Sequence, residues 1–304
     1  MDRIYVAISM DCERDRNFTH PTASGPTDFK ASEGWVRAYF DLAGEYGWPV
    51  TFFLHPEVAE GQADLFLDLE RQGGCLGLHL HPWKFGDGKY KAHFGGLTAD
   101  QQRAALSEAA ALWQRAIGRR PEYFRPGTFS ANDSTYQVLV DLGFRGGSIS
   151  APERIYVDLC SVWTGAEKDP HRPHHAFRQH KGTLEFGNVP LTQDFSKRET
   201  LKGRYFYRDL RPDYQDADYH LIANNIVEQL IARDPAVPVI HMVTHNDHDY
   251  TDPNDRVRRN YDVVLREIDQ ACRSRGIEPV GATIAQLVDM VLAQPVDVPE
   301  FVPA

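Results

Sequence analysis

No run of about 18 consecutive apolar residues occurs in the 304-residue chain, so no membrane-crossing helix is expected. Cysteine is scarce too. Cys12, Cys75, Cys160 and Cys272 lie far apart, and the lack of a Cys-x-x-Cys pair argues against a zinc knuckle or a dithiol redox site. Positive charge is also in deficit: 43 Asp and Glu against 33 Lys and Arg give a net charge of −10. Nucleic acids and anionic membranes are normally met by a basic patch, so neither is an expected partner. A small-molecule or glycan substrate fits better. The opening Met1-Asp2-Arg3-Ile4-Tyr5-Val6-Ala7-Ile8 enters a strand pattern without a leader segment, which predicts a cytoplasmic chain with free thiols.

What is present is an ordinary globular composition, 42% hydrophobic and 25% charged, in a chain long enough for a large core. Short apolar runs alternate with amphipathic stretches of helical length, the pattern of βα units around a parallel sheet or barrel. Strands are expected at 3–9, 50–54, 75–80, 123–125, 237–244 and 277–280. Helices are expected at 33–46, around 65–69, at 98–117, 133–141 and 255–274, and after Thr283. Thr98-x-x-Gln101 and Thr283-x-x-Gln286 read as capping boxes, and Gly118 as a helix stop. The rhythm breaks at about 165–215, a stretch rich in prolines and aromatics that is read as an irregular excursion within one domain spanning 1–293. Residues 294–304, with Pro295, Pro299 and Pro303, read as a loosely packed tail.

Four clusters fall at the C-terminal ends of predicted strands, where parallel α/β folds collect reactive groups. Asp11 and Glu13 are separated by one residue, so in an extended chain both face one cavity. Read alone, such a pair also describes a solvated acidic loop. His79 and His81 share a strand face in the same way, a spacing that suits a divalent ion such as zinc and equally suits histidines satisfied by core hydrogen bonds. Arg125 leaves a strand just before Pro126-Gly127-Thr128-Phe129 and can hold a carboxylate with two parallel hydrogen bonds. His241 and His245 lie on one face of a further strand, His245 at its mouth and His241 deeper, in a structural position. Trp83, Tyr90, Phe94 and Phe129 could form a sugar-stacking wall or fill gaps in the core. The group His171, His174, His175 and His180 has no spacing that matches a compact metal site.

In their order along residues 3–290 these clusters resemble the polysaccharide deacetylases, the NodB-homology or family-4 carbohydrate esterases. Asp11 with Glu13 is similar to the family's first motif, His79 to the leading histidine of the second, Arg125-Pro126-Gly127-Thr128-Phe129 to the third and His245 to the fifth. The segments 276–280 and 283–287 are similar to the closing strand and helix. Three departures stand out. Position 83, where the second motif's other histidine would fall, is Trp83, and geometry moves that ligand to His81. Asp158 with Trp163 is the only candidate for the fourth motif. The carboxylate pair is Asp-x-Glu, not two adjacent aspartates.

The resemblance implies a distorted (β/α) barrel of about seven strands. It further implies one divalent ion, expected to be zinc, held by Glu13, His79 and His81. Asp11 would be the base, kept ionised by Arg125, and His245 the acid, its imidazolium favoured by Asp247 and Asp249. Trp83, Thr128 and Phe129 would contact substrate, with a backbone N–H near Thr128 on the oxyanion. The expected reaction removes an N-acyl group, acetyl first, from an amino sugar or glycan precursor. Formamides or cyclic ureides are the alternative substrates, and a non-catalytic glycan-binding paralogue is the alternative from another class. A homo-oligomer is compatible with all of these.

Overall fold

The structure, a computed structural model, describes residues 1–14 and 25–296; of the expected tail, 297–304 lie outside the described residues. Its logic is visible in β1 (Arg3–Cys12). Ile4, Val6, Ile8, Met10 and Cys12 are buried in the main apolar cluster, and the period-two pleat turns Ala7, Ser9 and Asp11 to the opposite face. After α1 (Phe29–Gly44), β2 (Val50–Leu54) sends Val50, Phe52 and Leu54 to the same cluster and Phe53 to the other side. α2 (Pro56–Gly61) and α3 (Ala63–Arg71) lead to β3 (Cys75–Leu80), where Leu76, Leu78 and Leu80 pack outward and His79 faces inward.

α4 (Ala99–Ile117) is closed at both ends as its sequence predicts. Thr98 and Gln101 form a reciprocal capping box, and Gly118 adopts φ 86°, a left-handed conformation that suits glycine. The chain then runs through β4 (Tyr123–Pro126), α5 (Thr135–Asp141), β5 (Gly146–Gly147), β6 (Ile155–Tyr156), β7 (Ser161–Val162), β8 (Gly187–Asn188), β9 (Gln193–Leu201) and β10 (Arg204–Asp209). α6 (Tyr219–Arg233), β11 (Val239–His245), α7 (Arg256–Arg273), β12 (Glu278–Gly281) and α8 (Ile284–Ala293) complete it. No helix among the described residues is long and apolar enough to cross a membrane.

Seven parallel strands follow the order β11-β1-β2-β3-β4-β5-β8, and β12 pairs with the start of β1 as an eighth. The edges are drawn together by residues 189–192. Val189 donates its N–H to the Gly147 carbonyl at 2.8 Å, and Thr192 donates to the His241 carbonyl at 3.1 Å. The result is a distorted α/β barrel. Ala7, Phe53, Tyr123, Val189 and Val239 meet Ile284, Leu287 and Val288 of α8 in a second apolar cluster that plugs the interior. The inward residues further along the strands, Ser9, Asp11, His79, Arg125, His241 and His245, are polar, so the C-terminal ends of the strands surround a polar mouth.

Two elements differ from the sequence expectation. α6 was not anticipated, although Ile222, Ile226 and Leu230 are buried at four-residue spacing and the Asp218 side chain caps its first turn. The expected excursion at 165–215 also contains regular structure: β9 and β10 form a hairpin within an antiparallel sheet ordered β7-β6-β10-β9. Its two-residue turn, Lys202-Gly203, has positive φ at both positions (49° and 77°), which matches the right-handed twist of the flanking strands.

Candidate active site

Strand register assembles the site. On β1 and β11, Asp11 is the direct neighbour of His245, and on β3 and β4, His79 is the neighbour of Arg125. Four residues from distant parts of the sequence therefore meet without any loop having to carry them.

Arg125 is wholly buried. One terminal nitrogen donates to Asp11 Oδ1 at 2.7 Å, and the other donates to Ser9 Oγ at 2.9 Å and to His241 Nε2 at 2.8 Å, while its face rests 4.2 Å from the Phe53 ring centroid. His241 can accept because its Nδ1–H donates to the Pro190 carbonyl at 3.0 Å, leaving Nε2 bare. Burial, reinforced by the charge of Arg125, pushes the His241 pKa down to about 3, so the ring is neutral. Burial opposes ionisation of Asp11, but Arg125 and then His79 and His245 hold its carboxyl below the usual value.

Glu13 lies one turn of the pleat beyond Asp11. Its Oε1 is 2.8 Å from His81 Nε2 and 3.4 Å from His79 Nε2, and its Oε2 accepts from Lys84 Nζ at 2.8 Å. All four side chains are buried. Burial opposes ionisation here too, yet the carboxyl sits well below the usual range. Because burial drives the His81 pKa to about 3, His81 donates as a neutral imidazole and Lys84 supplies the ammonium counter-ion. Asn246 clamps the Glu13 backbone from both sides, accepting its N–H at 2.9 Å and donating to its carbonyl at 3.2 Å.

Residues 24–147 match the family described as polysaccharide deacetylase. That span contains His79, His81 and Arg125. Over that span the chain is similar to the polysaccharide deacetylases. Among solved structures it is similar to a polysaccharide deacetylase from Mycobacterium smegmatis whose assignment is given only provisionally. That pair is 14% identical over 98% of this chain and 93% of that one, with a TM-score of 0.57, which establishes a shared fold. A family 4 carbohydrate esterase from Streptomyces lividans in complex with acetate is 14% identical over 92% of this chain and 93% of that one, at a TM-score of 0.45. No curated protein matches the chain in sequence.

Within the site, Glu13, His79 and His81 each offer a ligand atom within 4.8 Å of the others, the single such group among the described residues. The donor set fits a divalent ion. His79 Nδ1–H donates to the Arg125 carbonyl at 3.0 Å, which leaves the Nε2 lone pair directed at Glu13 Oε1 and, at 4.0 Å, Asp11 Oδ2. A lone pair facing two carboxylates is repulsive unless a proton or a cation lies between them. Burial disfavours the His79 imidazolium, but Asp11 and Glu13 outweigh it and raise the pKa above the ordinary value, so the same point attracts positive charge. His81 is seated by a missing side chain: a Cβ at Gly127 would lie 2.2 Å from His81 Nδ1, so Gly127 leaves the space that the imidazole fills.

The site opens into a cleft of about 910 Å³ lined by Asp11, Glu13, His81, Trp83, Thr128, Phe129 and His245, among others. Thr128 and Phe129 both hold positive φ (57° and 55°), a strained turn pinned where the Phe129 carbonyl accepts from Trp163 Nε1 at 2.7 Å and Ser161 Oγ at 3.1 Å. Trp163 thus supports the loop at Gly127–Phe129. Asp158 does not join it, being exposed and paired with Arg204. Of the expected aromatic wall, Trp83 and Phe129 line the cleft; Phe94 packs on Phe124 in the core and Tyr90 donates to Glu108 outside it. Of the carboxylates expected to act on His245, Asp247 pairs with His248 and Asp249 accepts from Thr251, and the acid beside His245 in the register is Asp11.

Ser9, His241 as a partner of Arg125, Lys84 and Asn246 were missed as contributors to the site. Ser9 and His241 had a signal, since they share strand faces with Asp11 and His245. Lys84 had none.

Proposed function

We propose that the chain is a metal-dependent hydrolase that removes an N-acyl group, acetyl first, from an amino sugar or glycan precursor. One observation carries this reading. Asp11, fixed through one oxygen by Arg125, turns its other oxygen toward the Glu13, His79 and His81 group in the same cleft that His245 lines. A site that only bound glycan would have no need of an ionised base and a second titratable group on either side of a metal-ligating cluster, so hydrolysis is favoured over binding alone.

Glu13, His79 and His81 would hold the ion, and two imidazoles with one carboxylate suit zinc with open positions. When bound it would supply Lewis acidity and lower the pKa of water toward ~7. The chain's own residues do the rest. Asp11 takes the proton of the attacking water, and Arg125 keeps it a carboxylate at the pH of the reaction. His245 delivers a proton to the departing nitrogen, which an amide needs because an unprotonated amine anion is a poor leaving group. Trp83, Thr128 and Phe129 contact the sugar, and a backbone N–H near Thr128 faces the oxyanion. The products are a free amine and a carboxylate.

The test is metal content of the purified chain together with acetate and formate release from a panel of N-acetyl and N-formyl amino sugars and cyclic ureides. Acyl release that needs the metal and falls by two or more orders of magnitude in Asp11→Asn, with metal retained, supports the reading. Loss of metal in that variant would exchange the roles of Asp11 and Glu13, and unchanged turnover would remove Asp11 from the reaction.

A further inference from the structure

The same cleft is lined by five cations, Lys84, Arg154, Lys202, Arg204 and Arg211, and among the described residues the exposed Lys202 and the buried Arg154 have no carboxylate partner. Arg154 precedes β6, is 6% exposed and lines the cleft. Its guanidinium carbon lies 5.0 Å from the ring centroids of both Phe129 and Tyr156. Among the described residues the guanidinium's one hydrogen bond is to the Thr128 carbonyl at 3.5 Å, and its Nε is buried with no partner.

Lys202 is exposed and can be solvated by water, and the other three cations are satisfied. Lys84 pairs with Glu13, and Arg204 Nε donates to Asp158 at 3.1 Å. Arg211 holds both oxygens of Asp209 at 2.8 and 2.7 Å, so although the charge of Asp209 reaches Arg154, its carboxylate is committed. Burial and the charge of Arg211 both act against the Arg154 cation. An arginine kept only for packing would cost less with a carboxylate beside it, since a buried charge without a partner is strongly unfavourable. The two rings hold the fork in place but offer no acceptor.

The geometry points to an anion subsite at Arg154, so that the N-acyl sugar taken by the proposed reaction also carries a carboxylate or a phosphate. This inference rests on the hydrolase reading above for the rest of the substrate. Both anions present oxygens that match the guanidinium fork, and either would supply the acceptor that the protein withholds. The cleft has room for it: about 910 Å³ lies at the upper end of ordinary ligand pockets, enough for a sugar and a charged substituent. The overall charge of −10 adds to the case, because an acidic chain does not bury an arginine in a cleft for general solubility.

The experiment is calorimetric titration of the metal-loaded wild type, Arg154→Gln and Arg154→Lys with N-acetylglucosamine, N-acetylglucosamine 6-phosphate and N-acetylmuramic acid, with acyl release followed in parallel. A charge-assisted bidentate contact predicts that one or both anionic sugars bind the wild type about ten- to a hundred-fold tighter than the neutral sugar. Arg154→Gln should remove that preference while changing the neutral sugar's affinity far less, and Arg154→Lys should restore part of it. Whether the phosphate or the carboxylate gains more identifies the anion. Equal affinity of the wild type for all three sugars would overturn the inference, as would a parallel loss for all three in Arg154→Gln, which marks a packing role. Should the Gln variant unfold, the wild-type preference and the Arg154→Lys response decide. Charge preference without acyl release would keep the subsite and remove the hydrolase reading; acyl release without charge preference would do the reverse.

Discussion

Replacing Arg125 by methionine tests the electrostatic core of the site. The guanidinium is wholly buried, Asp11 is 7% exposed, and the two are 2.7 Å apart. At an effective dielectric of about 20, that separation corresponds to about 4–6 kcal/mol of attraction. Desolvation of both ions offsets much of it in the folded pair. Removing one partner leaves the other buried without compensation, so Arg125→Met is expected to cost about 3–5 kcal/mol. Ser9 Oγ and His241 Nε2 do not add greatly to this, because they lie 3.0 Å apart and can pair with each other once the guanidinium has gone and the Ser9 hydroxyl turns from the Met242 carbonyl.

The cost should depend on the charge of Asp11 and not on lost packing. Without Arg125, the burial that pushes the Asp11 pKa up loses its main opponent, and the pKa rises above the unfolded value. A raised carboxylate pKa destabilises only where the unfolded chain is ionised, so the penalty is full at pH 7 and fades as pH falls through the folded pKa. Asp11→Asn combined with Arg125→Met should likewise recover at least about 2 kcal/mol relative to strict additivity. The measurement is urea unfolding of the metal-free protein between pH 4 and 7 for wild type, both single variants and the double variant. A loss below about 1 kcal/mol at pH 7, or a larger loss that neither acid nor Asp11→Asn relieves, would show that Arg125 does not hold a buried carboxylate.

Three further outcomes are expected. His79→Ala with His81→Ala should abolish stoichiometric metal binding, read by elemental analysis after dialysis; undiminished metal would disprove the ligand set. His245→Ala should lower amide cleavage far more than cleavage of an activated phenyl-type ester, because only the amide needs a protonated leaving group, and equal loss on both would make His245 a structural or metal-binding residue. Asp209 is held below its ordinary pKa, burial being outweighed by Arg211, so its contribution is full above the unfolded value of ~3.9 and is lost as pH falls through the folded value. Asp209→Asn should therefore destabilise the chain at pH 7 by about 3–5 kcal/mol and flatten the acid limb of its stability profile, both read by denaturant titration.

The strands of the parallel sheet were legible because their two faces obey one rule: aliphatics outward at every second position, small or polar residues inward. Asp11, Glu13, His79, His81 and Arg125 could be found for the same reason, since each sits where an inward position reaches a strand end. α6 was missed although Ile222, Ile226 and Leu230 give it a helical stripe; the polar residues between them, Asn224, Asn225 and Gln229, belong to its other faces, and two of them bond Asp194. Lys84 was beyond sequence reasoning. It follows Trp83 in a short 3₁₀ turn, and nothing in its neighbours says that its ammonium turns inward to Glu13.

Net charge was the least transferable of the sequence arguments. A balance of −10 describes the field far from the protein and bears on which large polyanions it would attract. Contact inside a cleft is decided by the few groups within a Debye length, about 8–10 Å in ordinary salt, and by how many of them are already paired. Here the acids nearest the reacting position are each paired with a cation, Asp11 with Arg125 and Glu13 with Lys84, while Arg154 in the same cleft has no such partner among the described residues. An acidic chain can thus present a locally cationic cleft. The antiparallel sheet that supplies Tyr156 and Arg204 to this cleft lies mostly in the stretch that composition alone marks as irregular. Barrel register therefore brings Asp11, His79, Arg125 and His245 together, and the inserted sheet adds Tyr156 and Arg204 to the lining of the cleft beside them.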